Sequence, residues 1–163
     1  MASTSVAPSP LPAMSGMNAR TFVDTNVLIY AHDADAGSKR QIARQALQEL
    51  WTERNGILCM QVLQEFYVNV TRKIRVPLAS ATARNVVNAY APWCVASVTA
   101  ADMTSALQIE DDARIGFWDA LIVAVAVRSG ATRLLSEDLN PGQKIAGLVV
   151  ENPFAAASPR RSS

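Results

Sequence analysis

The stretch TFVDTNVLIYA, residues 21–31, joins a short β-type run directly to a helical one. Residues 21–23 predict a brief strand, and residues 26–30 are typical of the start of a helix. Asp24 lies between these two elements, where it could simply cap the helix. It also stands at the carboxyl end of a strand, which is where ligands bind in sheets whose strands alternate with helices.

The rest of the chain repeats this alternation of short β-type runs and longer helical patterns. Predicted helices cover residues 38–54, 61–73, 80–90, 99–112 and 117–129, and further predicted strands cover 57–60, 93–98, 132–135 and 148–150. Strands separated by helices favour parallel pairing. The expected fold class is therefore α/β, with a central, mostly parallel β-sheet flanked by α-helices.

The chain has 163 residues, which fits one domain. Residues 1–19 are rich in Ser, Pro and Ala and lack apolar periodicity, so they predict a disordered N-terminal tail. The predicted domain covers residues 20–154, and residues 155–163 predict a second disordered tail. Met14 and Met17 compete with Met1 as the true start of the protein.

Composition excludes several classes of site. Cys59 and Cys94 lack ligand spacing, and His32 is the only histidine, which excludes zinc sites rich in His or Cys. The formal net charge of +1 gives no strong positive field for nucleic acid. No apolar stretch approaches the roughly 20 residues of a membrane span, and the N-terminal segment lacks signal-peptide features. These features predict a cytoplasmic protein that does not bind membranes.

Three aspartates fall near the expected ligand-binding edge of the sheet. Asp24 ends the first strand, Asp119 lies in the first turn of an apolar helix, and Asp138 follows the strand that ends at Leu135. Each has a purely structural alternative, namely a helix cap, a complement to a helix dipole and a turn residue, respectively.

Glu65 lies on the border of a helical apolar stripe formed by Val62, Leu63, Phe66 and Val70. A partly buried carboxylate at such a position needs a partner, which could be an arginine or a metal ion. Bringing this glutamate together with the three aspartates requires positive charge between them. Mg²⁺ and Mn²⁺ prefer carboxylate oxygens, and such ions assist the hydrolysis of phosphodiester bonds.

Four segments of this chain resemble the motifs of PIN-domain ribonucleases, the family that includes the VapC-type toxins of type II toxin–antitoxin systems. Residues 21–31 resemble the opening motif, and residues 61–67, running on to 71–73, resemble the segment that carries the glutamate. Residues 117–122 resemble the third acidic motif. Residues 135–139, 142–143 and 152–154 are similar to the C-terminal part, so the resemblance spans about residues 20–154.

The resemblance implies a PIN-like fold and a metal-dependent endoribonuclease that uses Mg²⁺ or Mn²⁺ to activate water. Its implied catalytic and metal-binding residues are Asp24, Glu65, Asp119 and Asp138. Asn26 and Ser136 would support these ligands, and Glu137 stays open as a further ligand. The family also implies an RNA substrate, a homodimer and, for the toxins, a small antitoxin that blocks the site.

Other residues give weaker signals. Arg72, Lys73 and Arg75 could hold RNA phosphates, although cations also favour a helix C-terminus for structural reasons. His32 is expected to be exposed and incidental. Phe117 and Trp118 are expected to pack in the core and not to stack on bases.

Other functions remain open at this stage. The chain could be a non-catalytic RNA-binding or protein-interaction module of the same fold, or a housekeeping RNA-processing nuclease. A phosphatase that uses Asp24 as nucleophile is disfavoured, because Asn26 stands where a second aspartate is expected. The sequence names neither the RNA, the cleavage position, the antitoxin nor the number of metal ions.

Overall fold

The protein is described from a computed structural model that covers residues 19–155. Most of the two predicted tails, residues 1–18 and 156–163, lies outside the described residues. The fold is a single α/β domain, as predicted. The strands are β1 (Arg20–Val23), β2 (Gly56–Cys59), β3 (Cys94–Ala96), β4 (Ala131–Leu135), β5 (Lys144–Ile145) and β6 (Leu148–Glu151). The helices are α1 (Thr25–His32), α2 (Ser38–Glu53), α3 (Met60–Arg72), α4 (Ser80–Tyr90), α5 (Ala100–Ala113) and α6 (Phe117–Arg128), with a short 3-10 helix at Ala91–Trp93.

The six strands form one sheet in the order β3-β2-β1-β4-β6-β5. The first four pairings in this order are parallel, and β5 pairs antiparallel with β6. The sequence did not predict β5, because two residues are too few to show a strand periodicity. The predicted strand at 93–98 is shorter than expected, since Trp93 ends the 3-10 helix and β3 stops at Ala96.

The core lies between the central strands and the helices that cover them. Phe22, Leu58, Leu134 and Leu148, one from each of four strands, are fully buried. In α3 the buried residues are the four apolar ones that predicted the helix. Residues 120–126 of α6 are all buried, which explains why this helix has no polar face.

The directions of β1, β4 and α6 determine where the expected ligand-binding edge of the sheet lies. Only Ser129 and Gly130 separate α6 from β4, so the chain reverses there, and Gly130 adopts the left-handed conformation that such a turn requires. The start of α6 therefore lies at the edge where β1 and β4 end. At that edge the backbone amide of Asp24 donates to the Leu135 carbonyl at 3.0 Å. Among the described helices, none is both long and apolar enough to cross a bilayer.

Candidate active site

Asp24 occupies the junction between β1 and α1. It is the N-cap of α1, and its Oδ1 accepts a hydrogen bond from the Thr25 amide at 2.7 Å. Its Oδ2 accepts from the Ser136 hydroxyl at 2.8 Å. The side chain is nearly buried, with 7% of the residue surface exposed, so this carboxylate is held in one orientation.

Asn26 and Ser136, the two predicted supports, both contact acidic residues. The Asn26 amide Nδ2 donates to Asp138 Oδ2 at 3.0 Å and, over a longer distance of 3.4 Å, to Asp24 Oδ2. Ser136 is fully buried, and its Oγ accepts from the Asp138 backbone amide at 3.1 Å. These contacts connect the loop after β4 to the start of α1.

Three of the four predicted acids come together. Asp24, Asp119 and Asp138 each offer a carboxylate oxygen, and these oxygens lie within 4.8 Å of one another. Asp119 reaches the group from the first turn of α6, and Asp138 reaches it from the loop after β4. Asp24 is buried, Asp119 is half-buried and Asp138 is exposed, so the cluster opens to solvent on the Asp138 side.

Glu65 stands beside this group and not within it. Its Oε2 accepts from the Thr25 hydroxyl at 2.8 Å, and its Oε1 accepts from the Gln61 amide at 2.9 Å. Thr25 therefore links Glu65 to Asp24, a connection that sequence reasoning missed. Two signals were available: Thr25 directly follows Asp24, and Gln61 precedes Glu65 by one helical turn.

Burial and like charge raise the pKa values of two of these acids. Burial is the largest cause for Asp24, and Asp138 and Asp119 add to it, which raises its pKa to about 6 despite the hydrogen bonds from Ser136 and Thr25. The pKa of Asp119 is raised by burial and by the charges of Asp138 and Glu65. Protonation is favoured because the carboxylates have lost water and face one another.

Protein cations do not offset this negative charge within the part of the chain that the structure describes. The ion pairs found there join Lys39 to Glu137, Arg75 to Asp35, Arg128 to Asp102 and Arg133 to Glu151. The arginine partner that the sequence left open for Glu65 is not among them. A cluster of carboxylate oxygens with no protein cation fits a hard divalent cation.

Glu137 has a different set of partners. Its carboxylate pairs with Lys39, whose Nζ lies 4.8 Å from the ring centroid of Tyr30 and 5.7 Å from that of Phe154. Burial acts to raise the pKa of Glu137, but hydrogen bonds from Lys39 and Tyr30 outweigh it and lower the pKa. The backbone of Glu137 contributes to the site, since its amide donates to Asn26 Oδ1 at 3.4 Å.

The predicted RNA-binding residues Arg72, Lys73 and Arg75 lie at the end of α3 and are exposed. Arg72 is seven residues beyond Glu65, which places it about 10 Å further along the helix axis. Arg75 pairs with Asp35 at 3.3 Å, between two exposed side chains. Among the described residues, no side-chain hydrogen bond or ion pair joins these three to the group of aspartates; the one such contact they make is that of Arg75 with Asp35.

Two expectations about other side chains were wrong. Trp118 does not pack in the core, because 66% of its surface is exposed, whereas Phe117 is partly buried as expected. The largely apolar pattern of residues 117–129 gave no sign that Phe117 and Trp118 differ in exposure. Position 118 lies in the first turn of α6, where an apolar pattern does not show which side chains are buried. His32 is not exposed but half-buried, and its ring packs edge-on against Phe66.

Solved structures of known proteins share this fold, and VapC20 and VapBC2 are among them. The crystal structure of Mycobacterium tuberculosis VapC20, a sarcin-ricin loop cleaving toxin, is 22% identical with a TM-score of 0.53, covering 70% of this chain and 86% of that one. VapBC2 from Rickettsia felis, bound to a DNA fragment from its promoter, is 18% identical with a TM-score of 0.55, covering 81% of this chain and 97% of that one.

Among proteins with curated descriptions, none is similar enough in sequence to count as a relative. The family model of the PIN domain matches residues 21–146, which is most of the chain, and the protein therefore belongs to the PIN domain family.

Proposed function

We propose that this protein is a metal-dependent endoribonuclease that hydrolyses RNA phosphodiester bonds with Mg²⁺ or Mn²⁺ as cofactor. The observation that carries the proposal is the group of Asp24, Asp119 and Asp138, whose oxygens lie within 4.8 Å of one another. Membership of the PIN domain family supports it, since the residues of all four acidic motifs are present.

Asp24, Asp119 and Asp138 would hold the ion, with Glu65 beside them. A divalent cation in this position supplies activation of water and neutralisation of the charge that develops on phosphate. The protein's own part is to fix the carboxylates. Ser136 and Asn26 orient Asp24 and Asp138 through hydrogen bonds, and Thr25 orients Glu65. The starts of α1 and α6 favour negative charge at Asp24 and Asp119.

Access for RNA is through the exposed side of the cluster. Asp138 is exposed there, whereas Asp24 is nearly buried at the base. A phosphodiester entering from solvent would therefore meet Asp138 and Asp119 first. Arg72, Lys73 and Arg75 remain in the proposal as contacts for more distant phosphates of the same RNA.

The biological role that we propose is that of the toxin of a toxin–antitoxin pair, acting as a homodimer and blocked by a small antitoxin. Support comes from the family resemblance and from the two neighbours, one described as a toxin and the other as a VapBC complex. Induction of this gene alone should stop growth, whereas induction of the Asp119→Asn variant should not. Normal growth after expression of active enzyme would favour the RNA-processing role.

Cleavage of labelled single-stranded RNA tests the activity directly. We expect cleavage with Mg²⁺ or Mn²⁺, none with excess EDTA, and a large loss in Asp119→Asn. Asp111→Asn is a matched control, since Asp111 is an exposed aspartate on α5. Undiminished cleavage in excess chelator would contradict the metal mechanism. A parent protein that binds RNA with metal but does not cut it would support the non-catalytic alternative.

A further inference from the structure

Trp118 is an exposed aromatic residue on a helix that is otherwise largely buried. Two-thirds of its surface, 66%, is exposed, the highest value among the large hydrophobic residues that the structure describes. By contrast, the seven residues 120–126 of the same helix are all buried. Core packing therefore does not explain why an indole ring stands at this position.

The position of Trp118 places it beside the acidic cluster. It precedes Asp119 directly, so the two Cα atoms are about 3.8 Å apart. Both residues belong to the first turn of α6, at the edge where β1 and β4 end. Helix side chains tilt toward the helix N-terminus, so the indole leans toward the same end of the molecule as the carboxylates.

The two residues before Trp118 leave its indole ring exposed, although one of them contacts it. The ring of Phe117 packs edge-on against the indole, with the centroids 5.2 Å apart. Gly116 precedes them and has no side chain that could cover this end of the helix. The nearest group to a Cβ placed on Gly116 would be Asp119 Oδ2, at 3.9 Å, so the carboxylate lies close to the start of the helix. The indole face is thus open to solvent, and it belongs to the same helical turn as Asp119.

The carboxylate of the neighbouring Asp119 disfavours an anionic group at the indole face, whereas a neutral, flat ring can stack on it. Nucleobases of single-stranded RNA stack on aromatic side chains, and this contact needs no cation. When a base of the RNA stacks on the indole, a phosphate of the same RNA would lie at the acidic cluster. We propose that Trp118 stacks on a nucleobase adjacent to the phosphodiester that is cleaved. This inference rests on the proposed ribonuclease function and adds to it a binding site for one base.

Three variants test the inference. Trp118→Leu keeps an apolar side chain but removes the stacking face, and Trp118→Phe restores an aromatic ring. Trp51→Leu is the matched control, because Trp51 is also an exposed tryptophan, at 46%, but lines a cavity with Arg20 at the opposite edge of the sheet. The readouts are KM and kcat for a short single-stranded RNA that contains all four bases, with melting temperature and oligomeric state for each variant.

Trp118→Leu should raise KM by roughly fivefold to a hundredfold, which corresponds to the loss of one base-stacking contact. The value of kcat at saturating RNA should change much less, and Trp118→Phe should recover most of the lost affinity. Melting temperature should stay near that of the parent. In RNAs with one base removed at a time, one abasic position should raise KM for the parent but not for Trp118→Leu.

Several results would overturn the inference while leaving the proposed function intact. These are an unchanged KM in Trp118→Leu, an equal defect in Trp118→Phe, or dissociation of an oligomer by Trp118→Leu, which would make the indole part of an interface between copies. A parent protein that does not cleave RNA with Mg²⁺ or Mn²⁺ would instead refute the proposed function, and the base-stacking role would fall with it.

Discussion

Asp24 combines an observed structural contact with the role that we propose for it. As the N-cap of α1 it accepts a backbone hydrogen bond, and as a proposed metal ligand it would have to be charged among like charges. Burial and the neighbouring aspartates raise its pKa to about 6. The fold therefore holds this carboxylate in an environment that disfavours its ionised form unless a cation is bound.

Asp24→Asn should stabilise the metal-free protein above pH 6. The pKa of Asp24 rises from its usual 3.8 to about 6 on folding, so the folded state binds this proton more tightly. The metal-free parent should therefore lose stability as pH increases from 4 to 6, by about 1 to 3 kcal/mol in total. Asparagine caps a helix about as well as aspartate, so Asp24→Asn removes this loss without removing the cap.

Thermal melts in EDTA and in Mn²⁺, from pH 4 to pH 8, measure this effect. The parent should gain stability with Mn²⁺ through the coupling of binding to folding, and Asp24→Asn should gain much less. Asp111→Asn, on an exposed acid of α5, serves as the control and should behave like the parent. Equal Mn²⁺-induced shifts in the parent and Asp24→Asn would leave Asp24 with the capping role alone.

At the scale of secondary-structure elements, the loop after β4 is attached to two helices. Asp138 contacts Asn26 of α1, and Glu137 pairs with Lys39 of α2. The side chains of Lys39 and Glu137 are 37% and 24% exposed, respectively. Because Glu137 and Asp138 contact different partners, substitution of one should leave the contacts of the other intact.

Glu137→Gln should keep most of the Mn²⁺-induced rise in melting temperature, whereas Asp138→Asn should lose most of it. The reason is that Glu137 faces Lys39 and Tyr30, and the carboxylate of Asp138 faces those of Asp24 and Asp119. Glutamine can still accept a hydrogen bond from Lys39, so the stability cost should be about 1 kcal/mol or less. A complete loss of the Mn²⁺ response in Glu137→Gln would identify Glu137 as a metal ligand.

The helices α5 and α6 are joined by a buried carboxylate. Asp102 forms a capping box with Thr99 at the start of α5, and Arg128 of α6 donates to its two oxygens at 2.6 and 2.8 Å. The Arg128 hydrogen bond is the main cause that lowers the pKa of Asp102 to about 2, against opposition from burial. This pairing joins the C-terminal end of α6 to the start of α5.

Asp102→Asn should destabilise the protein by about 2 kcal/mol at neutral pH, because it removes charged hydrogen bonds to a buried group. A lowered folded-state pKa means that this stabilisation is complete above about pH 4 and is lost as pH falls from 4 to 2. Chemical denaturation would measure the free energy of unfolding of parent and variant at pH 7 and at pH 2.5. If the difference in free energy between the two proteins does not shrink at pH 2.5, the stabilising role assigned to the charge of Asp102 is wrong.

At the scale of the whole molecule, the described groups favour attack by water over attack by the 2′-hydroxyl of RNA. Histidine, the commonest general base for attack by the 2′-hydroxyl, is absent from the acidic cluster, since the only histidine, His32, packs against Phe66. The carboxylates of the cluster could serve as bases only when no cation engages them, and the proposed function assigns them to a cation. The group of carboxylates is proposed to hold a divalent cation, and such an arrangement would be suited to hydrolysis by activated water.

Cleavage products should therefore carry 5′-phosphate and 3′-hydroxyl ends. Mapping the ends after digestion with Mn²⁺, by ligation of adaptors specific for each end, tests this expectation. An RNA with a single deoxyribose at the cleaved position should still be cut, because its 2′-hydroxyl takes no part in the reaction. Products with a 2′,3′-cyclic phosphate would show that the nucleophile belongs to the RNA.

The sequence by itself predicted the alternation of strands and helices, the mostly parallel sheet and the motifs that carry the acids. These features follow from local patterns, since a helix or strand that buries one face must repeat apolar residues with its own period. Asp24, Asp119 and Asp138 could be placed near one edge for the same reason: each lies within three residues of the end of a predicted strand or the start of a predicted helix.

Only the tertiary structure decided which of these groups come together and which stay apart. The bond from Thr25 to Glu65 joins residues 40 positions apart, and the pair of Lys39 and Glu137 joins residues 98 positions apart. Periodicity also describes the faces of a helix better than its ends, so the exposure of Trp118 in the first turn of α6 was not predictable from an apolar pattern. Contacts between distant residues depend on how the elements pack against one another, and the local sequence carries no direct signal of that packing.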